Sequence, residues 1–410
     1  MKSAAEYINN PIEIERDFQA LLISLSCPGT PRQRLFKINR FLETLGNNFA
    51  EYESYLLDLI QRLPDLVRDL NYLGCDPEML QALFEKLRLL HAHFSSGDDV
   101  SELAEVVEKL RQAVSRLYVY AGEIGVALEI LEEKIFHTSP EWLNQSAEEP
   151  ANRPLLLLQR SHEEAKRHDE ATAAKLHHLI SQWPPHDAGS AIVPVIEHSI
   201  NDVGIQEGEG GLRRIAVKIL GESKTGKDDI HADVAVFGAE SDATVLTQIP
   251  IAAARRLLVE NYPALAKRFF TGQIAFEAAH VLHEGVSANL AIAALFYCTV
   301  LHYTDQRERF YLTPGVALTG ELNKAGEVLP VDGKTLAAKV KAAFFSWVDY
   351  LVVPKQQLDE AEVAARALAQ RYPNRALIII GVGHLREIFF DRRLTQRERA
   401  GRVKHVARKA

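Results

Sequence analysis

The hydrophobic period of this chain changes once, and the change limits what it can fold into. From about residue 11 to residue 183, apolar residues recur at helical spacing. Beyond the segment Trp183-Pro-Pro-His-Asp-Ala-Gly, short runs at 192–196, 214–220 and 231–237 are rich in β-branched residues and bounded by turn residues. A helix buries one stripe every 3.6 residues and a strand one face every two, so neither pattern fits the other element. The chain is therefore expected to be an α+β multidomain protein, with an all-α N-terminal helical bundle followed by an α/β domain. The Pro- and Gly-bearing segment is the natural joint. At 410 residues, two or three domains can each bury a core of their own.

Within the first half, Leu35, Ile38, Leu42 and Leu45 share one helical face, and Leu56, Ile60, Leu63, Val67 and Leu70 share another. Breaks fall at 27–31, 74–77 and 95–99, each carrying Pro or Gly. Pro64 is expected to kink or divide its helix. Asp99 or Ser101 can cap a long helix reaching about Phe136. Along it Leu103, Val107, Leu110, Val114, Leu117, Ala121, Ile124, Leu128, Leu131 and Ile135 form an a/d seam. Such a seam suits either packing within one bundle or a coiled coil that grips a partner; Gly122 and Gly125 favour the bundle. A polar helix is expected over 155–182. The histidines of this half, His91, His93, His177 and His178, point to different faces and form no metal-ligating or catalytic set.

Composition excludes several classes. A formal net charge of −8 argues against a general nucleic-acid binder. The three cysteines, Cys27, Cys75 and Cys298, are too few and too scattered for a disulfide framework or a zinc knuckle, and read as buried apolar fillers of a reducing compartment. No basic region followed by an apolar run opens the chain, and the longest apolar runs, 288–301 and 376–382, are too short to span a bilayer. The expectation is a soluble cytoplasmic protein with no membrane partner.

Two motifs invite chemistry and fail on inspection. Gly221-Glu-Ser-Lys-Thr-Gly-Lys-Asp228 nearly spells a phosphate-binding loop, but Asp228 stands where Ser or Thr should meet Mg²⁺. Residues 229–237 also look like a strand, where that motif needs a helix N-terminus. A polar hairpin turn is the expected structure, with no nucleotide hydrolysis. After a helix at 251–262 and a strand at 272–276 come His280, His283 and Glu284, which have neither the order of a zinc helix nor a third ligand at a set spacing. No metal or other cofactor is expected.

The remaining constellation centres on Ser287, in Glu284-Gly-Val-Ser-Ala-Asn289, at the start of the apolar segment 288–301. A serine opening a helix can be a plain N-cap. It can also be a nucleophile whose oxyanion is held by the free N–H groups and positive end of that helix. Downstream lie Thr319-Gly-Glu321, the turn Gly326-Glu-Val-Leu-Pro-Val-Asp-Gly333, an alanine-rich helix at 335–345 and a buried-looking strand at 350–354. In order and wording, these segments resemble the proteolytic domain of Lon-type serine proteases. There a serine follows an acidic-Gly-x triplet, a T-G-E segment ends a strand, and a G-x-V-x-P turn precedes the helix bearing the catalytic lysine. The segment 274–277 resembles the strand before the serine turn.

The resemblance spans about 210–391 and implies a Ser/Lys dyad of Ser287 as nucleophile and Lys339 as general base. It makes Thr319 the residue that orients the lysine, with Glu277 and Glu284 supporting. Lys334 and Lys341 compete with Lys339, which alone fits the spacing to the following strand. Val286 and Asn289 depart from the family pattern, and Asn289 is expected to narrow the cleft. A lysine can serve as base only when neutral, and Leu336, Ala337, Ala338, Val340, Ala342 and Ala343 supply an apolar setting for that. The expected organisation is a helical, coiled-coil-like domain over 1–183, a linker and first strand over 184–209, the Lon-like domain over 210–391 and a basic tail over 392–410. The family also implies a homo-oligomeric ring, possibly a hexamer. With no ATPase module, the helical domain is expected to recruit unfolded polypeptides or a dedicated protein partner to an ATP-independent endopeptidase. The rival expectation is a catalytically silent Lon-like scaffold.

Overall fold

The computed structural model describes residues 11–26, 31–46, 49–68, 72, 74–94, 100–132, 154–183, 189–201, 204–232, 240–277 and 286–399. Cys27, Leu70, Ile135, Phe136, His280, His283, Glu284, the second half of the run 231–237 and the tail 400–410 lie outside these.

The helical unit comprises α1 (Pro11–Ser26), α2 (Pro31–Leu45), α3 (Glu53–Arg68), α4 (Pro77–Phe94), α5 (Val100–Tyr120), α6 (Ile124–Glu132), α7 (Pro154–His168) and α8 (Glu170–Ser181). The apolar faces expected from the sequence converge on one core that includes Ile38, Leu56, Leu63, Leu87, Leu110 and Leu117. Pro64 does not divide α3. It removes a single N–H donor, while Leu56, Leu59, Ile60 and Leu63, in the turns before it, anchor the helix in the core.

The single long helix expected to run to about Phe136 is two. α5 ends in a Schellman turn, with Gly122 N–H donating to Val119 O (3.0 Å) and Glu123 N–H to Tyr118 O (2.8 Å). Gly122 takes φ +82°, and a Cβ there would sit 2.7 Å from the Asn374 carbonyl carbon. Only glycine meets both demands. The seam residues Leu103, Leu110, Val114, Leu117, Ala121, Ile124 and Leu128 continue across the turn and are buried within this chain's own core.

The α/β unit is built on a seven-stranded sheet of order β10-β9-β6-β1-β2-β4-β3. The strands are β1 (Ser190–Asn201), β2 (Gly204–Glu222), β3 (Asp229–Ala232), β4 (Phe270–Phe276), β6 (Val316–Leu318), β9 (Tyr350–Pro354) and β10 (Ile378–Val382). One half is parallel (β1, β6, β9, β10); β2 then runs antiparallel to both β1 and β4, and β3 parallel to β4. The first strand expected within 184–209 is β1, which lies inside the sheet between β6 and β2. Side chains alternate across the sheet. Val316, Leu318, Tyr350 and Val352 face a core containing α9 (Glu240–Asn261) and α10 (Asn289–Tyr303). Ala317, Leu351 and Val353 face the other core, under α11 (Gly333–Phe344) and α12 (Leu358–Arg371).

Two expectations about loops fail here. The segment 221–228 is no hairpin, because β4 lies between β2 and β3. Asp228, expected as part of a polar turn, is half-buried with its side chain turned inward; the carboxylate accepts the Phe270 N–H at 2.9 Å and lies 3.8 Å from Arg255. The supposed tail begins with an ordered strand, β11 (Thr395–Arg399), paired antiparallel with β5 (Glu308–Leu312) and preceded by the fully buried Leu394.

The two units pack directly. Phe344, Phe345 and Tyr372 enter the bundle's core, and Gly74 N–H donates to Phe345 O at 3.1 Å. Arg375, fully buried, donates to the carbonyls of Phe344 (3.0 Å), Ala376 (2.7 Å), Ser346 and Val348. A planar guanidinium thereby satisfies the carbonyls left open where α11 ends and β9 begins.

Candidate active site

β6 carries the chain to Thr319 and Gly320. Thr319 N–H donates to Val352 O at 3.0 Å, extending the ladder with β9 by one residue. Gly320 then binds the start of α10: its N–H donates to Ser287 O at 2.8 Å, and its carbonyl accepts from Leu290 N–H at 3.1 Å. Two segments more than thirty positions apart in sequence are thus locked by main-chain bonds. The turn before the helix closes with Asn289 N–H on Val286 O at 3.0 Å.

This local structure revises how Ser287 is placed. Its carbonyl is taken by Gly320, so helical bonding starts later, with Ile292 N–H on Ala288 O at 3.0 Å. Ser287 is therefore in the turn ahead of α10, outside the first helical turn, and Ala288 is the N-cap. The plain N-cap reading of this serine does not hold. Ser287 is half-buried, and among the described residues its hydroxyl makes no hydrogen bond. Nor, among those residues, does any main-chain acceptor take the N–H of Ser287 or Ala288. At one helix entrance, therefore, stand a hydroxyl and two N–H donors without partners among the described residues.

Lys339 comes from the opposite face of the sheet. Asp332 caps α11, its carboxylate accepting from Lys334 N–H at 3.1 Å, and the alanine-rich sequence after it has high helix propensity. Leu336, Lys339, Val340 and Ala343 form the buried stripe. The helix sits so close to β2 that a Cβ on Gly210 would lie 2.1 Å from Ala338 O. Lys339 is 4% exposed, and its ammonium has no hydrogen bond or ion pair among the described residues. Burial pushes its pKa down to about 8, with the Asp332 charge pulling weakly the other way. Of its competitors, Lys334 is exposed and Lys341 half-buried.

Thr319 is fully buried and its hydroxyl has no hydrogen-bond partner among the described residues. Leu318 faces the α10 side, so the alternation of the strand turns Thr319 toward α11. Asn289, expected to narrow a cleft, is instead wholly buried, with both carboxamide atoms unpaired among the described residues. Glu277 is exposed at the end of β4, where its N–H donates to Arg214 O at 3.0 Å. Among the described residues, no hydrogen bond joins its carboxylate to Ser287, Thr319 or Lys339. Among them, too, no group of three His, Cys, Asp or Glu could hold a metal ion, and no helix is long and apolar enough to cross a membrane. Two contributors escaped the sequence reading: Gly320, which clamps Ser287, and Asp332, which caps and biases the lysine helix. The Asp-Gly pair ahead of an alanine run was the signal for the second.

Sequence comparison supplies relatives at modest distance. The chain is 28% identical over 163 residues to an archaeal Lon protease of Archaeoglobus fulgidus, covering 38% of this chain and 25% of that protein. It is 27% identical over 156 residues to an archaeal Lon protease of Thermococcus kodakarensis, covering 36% of this chain and 23% of that one. The match thus spans about a quarter of the length of these relatives. No family model matches the chain. These similarities support a relationship to Lon-type proteases.

Proposed function

We propose that the chain is an ATP-independent serine endopeptidase of Lon type, with Ser287 as nucleophile and Lys339 as general base. One observation carries this reading: a buried lysine, unpaired among the described residues and with a pKa brought down to about 8, accompanies a serine whose main chain is clamped to the strand end that bears Thr319 and whose hydroxyl has no partner among the described residues. A serine hydroxyl needs a base, and a lysine is one only when its ammonium is disfavoured. Neutral Lys339 takes the Ser287 proton as Oγ attacks the peptide carbonyl. The oxyanion is received by the N–H groups of Ser287 and Ala288. As the C–N bond breaks, the Lys339 ammonium returns the proton to the departing amine, leaving an ester on Ser287. Water then attacks that ester, giving its proton to Lys339; as the C–Oγ bond breaks, the Lys339 ammonium returns the proton to Ser287 Oγ, and the acid product leaves with serine and neutral lysine restored. The buried Thr319 hydroxyl orients the amine.

The inward-turned side chain of Asp228 and the strand that succeeds it support independence from ATP, since neither an Mg²⁺-binding hydroxyl nor a phosphate-facing helix is present there. The helical unit serves as recruiter of unfolded chains or of one partner, and assembly follows the ring expected from the resemblance. Casein hydrolysis with and without Mg-ATP tests the reading. Equal turnover in both, abolished in Ser287→Ala, is expected. Turnover that persists in Ser287→Ala would remove Ser287 from the chemistry, and turnover only with ATP would remove ATP independence.

A further inference from the structure

The bundle and the sheet border a half-open cavity of about 320 Å³ at the end of the sheet away from Ser287. Leu155 and Trp183 line it from the helical unit, and Arg214, Thr313, Trp347 and Asp349 from the α/β unit. Val316, at the start of β6, is in its wall, whereas Gly320, which holds Ser287, comes further along the same chain segment. At ~3.3 Å per residue the two are about 13 Å apart. The volume lies at the lower end of the range typical of small-molecule sites.

Two polar groups in this wall have no partner among the described residues. Arg214 is half-buried, and its guanidinium makes no hydrogen bond or ion pair among the described residues. The Thr313 hydroxyl is buried and, among those residues, without a partner. Asp349 does not answer Arg214: its Oδ2 is packed 3.0 Å from where a Cβ would stand on Gly315, and its charge acts on the buried Arg375. The same cavity is lined by two indoles, both packed on Tyr120, with ring centroids 5.3 Å away for Trp183 and 6.3 Å for Trp347. A guanidinium and a hydroxyl in the wall of an indole-lined cavity complement a carboxylate carried on an apolar or aromatic body.

We propose that this junction cavity binds such a carboxylate, presented by the C-terminal residue of a polypeptide or by a free aromatic acid. Arg214 receives the carboxylate, Thr313 donates a further hydrogen bond, and the body lies between the indoles. The assignment is independent of the chemistry at Ser287. Since two of the chain's three tryptophans line the cavity, intrinsic fluorescence reports its occupancy in the full-length protein. The probes are N-acetyl-L-phenylalanine, its neutral amide, and a short peptide ending in phenylalanine with a free or amidated C-terminus. The free acid is expected to give a saturable change, with affinity at least about tenfold weaker for the amide and for Arg214→Gln. Thr313→Val, a milder change, should weaken binding without altering the circular dichroism spectrum. Binding of the free-carboxylate peptide as well as the small acid identifies a chain end as the source; binding of the small acid alone identifies a free acid. No saturable signal with either acid, or equal affinity for acid and amide, or undiminished binding in folded Arg214→Gln, overturns the proposal.

Discussion

Replacing Lys339 by methionine should make the protein more stable near neutral pH while removing activity. Methionine keeps a flexible stem of similar size and discards the charge. In the unfolded chain the amine has its ordinary value of 10.5; burial in α11 brings it to about 8. At about 1.4 kcal/mol per tenfold change, this difference corresponds to about 3 kcal/mol. Below pH 8 the folded and unfolded states are both protonated, and the folded state bears the whole cost of burying the ammonium. Between pH 8 and 10.5 the unfolded chain holds a proton that the folded one has released, so stability rises with pH. Above 10.5 the cost is gone. Lys339→Met should therefore exceed the wild type by up to about 3 kcal/mol near neutral pH, with the two converging as pH approaches 10.5. Urea unfolding at a series of pH values measures this, and the difference between the two proteins cancels the tyrosines and Cys298 they share. A wild type more stable than Lys339→Met at neutral pH, with a difference independent of pH, would show that the ammonium is paired and structural, and the argument for a neutral base would collapse.

Other perturbations separate the parts of the account. Asp228→Ser completes the phosphate-loop wording, yet should bind no nucleotide and should lose about 1–3 kcal/mol by orphaning the Phe270 N–H; calorimetric titration with Mg-ATP and thermal melting check both halves. Gly210→Ala pushes a methyl into Ala338 O, so it should lower both thermal stability and peptidase rate by displacing the lysine helix, whereas a normal rate would uncouple that packing from the site. Arg375→Met leaves several buried carbonyls without a donor; a loss of about 1–3 kcal/mol for each carbonyl left unsatisfied is expected in denaturant unfolding, with earlier proteolytic cutting at the junction of the two units.

Much of the architecture was legible because it rests on local pattern. β9 has the bounds read from its apolar run, and α10 and α11 begin and end within two residues of expectation. What was missed depends on contacts distant in sequence. That β4 inserts between β2 and β3 is decided by pairing, and the turn at 221–228 looks the same in sequence whether it closes a hairpin or crosses a strand. β11 was hidden by its charges: an edge strand with Gln396, Arg397, Glu398 and Arg399 has no apolar alternation to betray it. Gly122 was visible in the seam, but its positive φ goes with the approach of Asn374, which no local window contains.

The proposed site shows the same division. Motif order singled out Ser287, Thr319 and Lys339, and the apolar neighbours of Lys339 foretold its burial. The bond from Gly320 to Ser287 could not be read, because it joins the end of β6 to a turn after β4. Nor could the fate of Asn289, whose side chain is enclosed without partners among the described residues although its residue type favours exposed turns.

The most direct test of the Ser287–Lys339 chemistry is covalent labelling by a fluorophosphonate at pH 7 and pH 9, with the modified residue mapped by mass spectrometry. A base with a pKa of about 8 is about one-tenth neutral at pH 7 and nine-tenths at pH 9, so the labelling rate should rise roughly tenfold. The label should sit on Ser287, be absent in Ser287→Ala, and form slowly and without pH dependence in Lys339→Met. A label on another residue, or one that forms equally fast in Lys339→Met, would contradict the dyad.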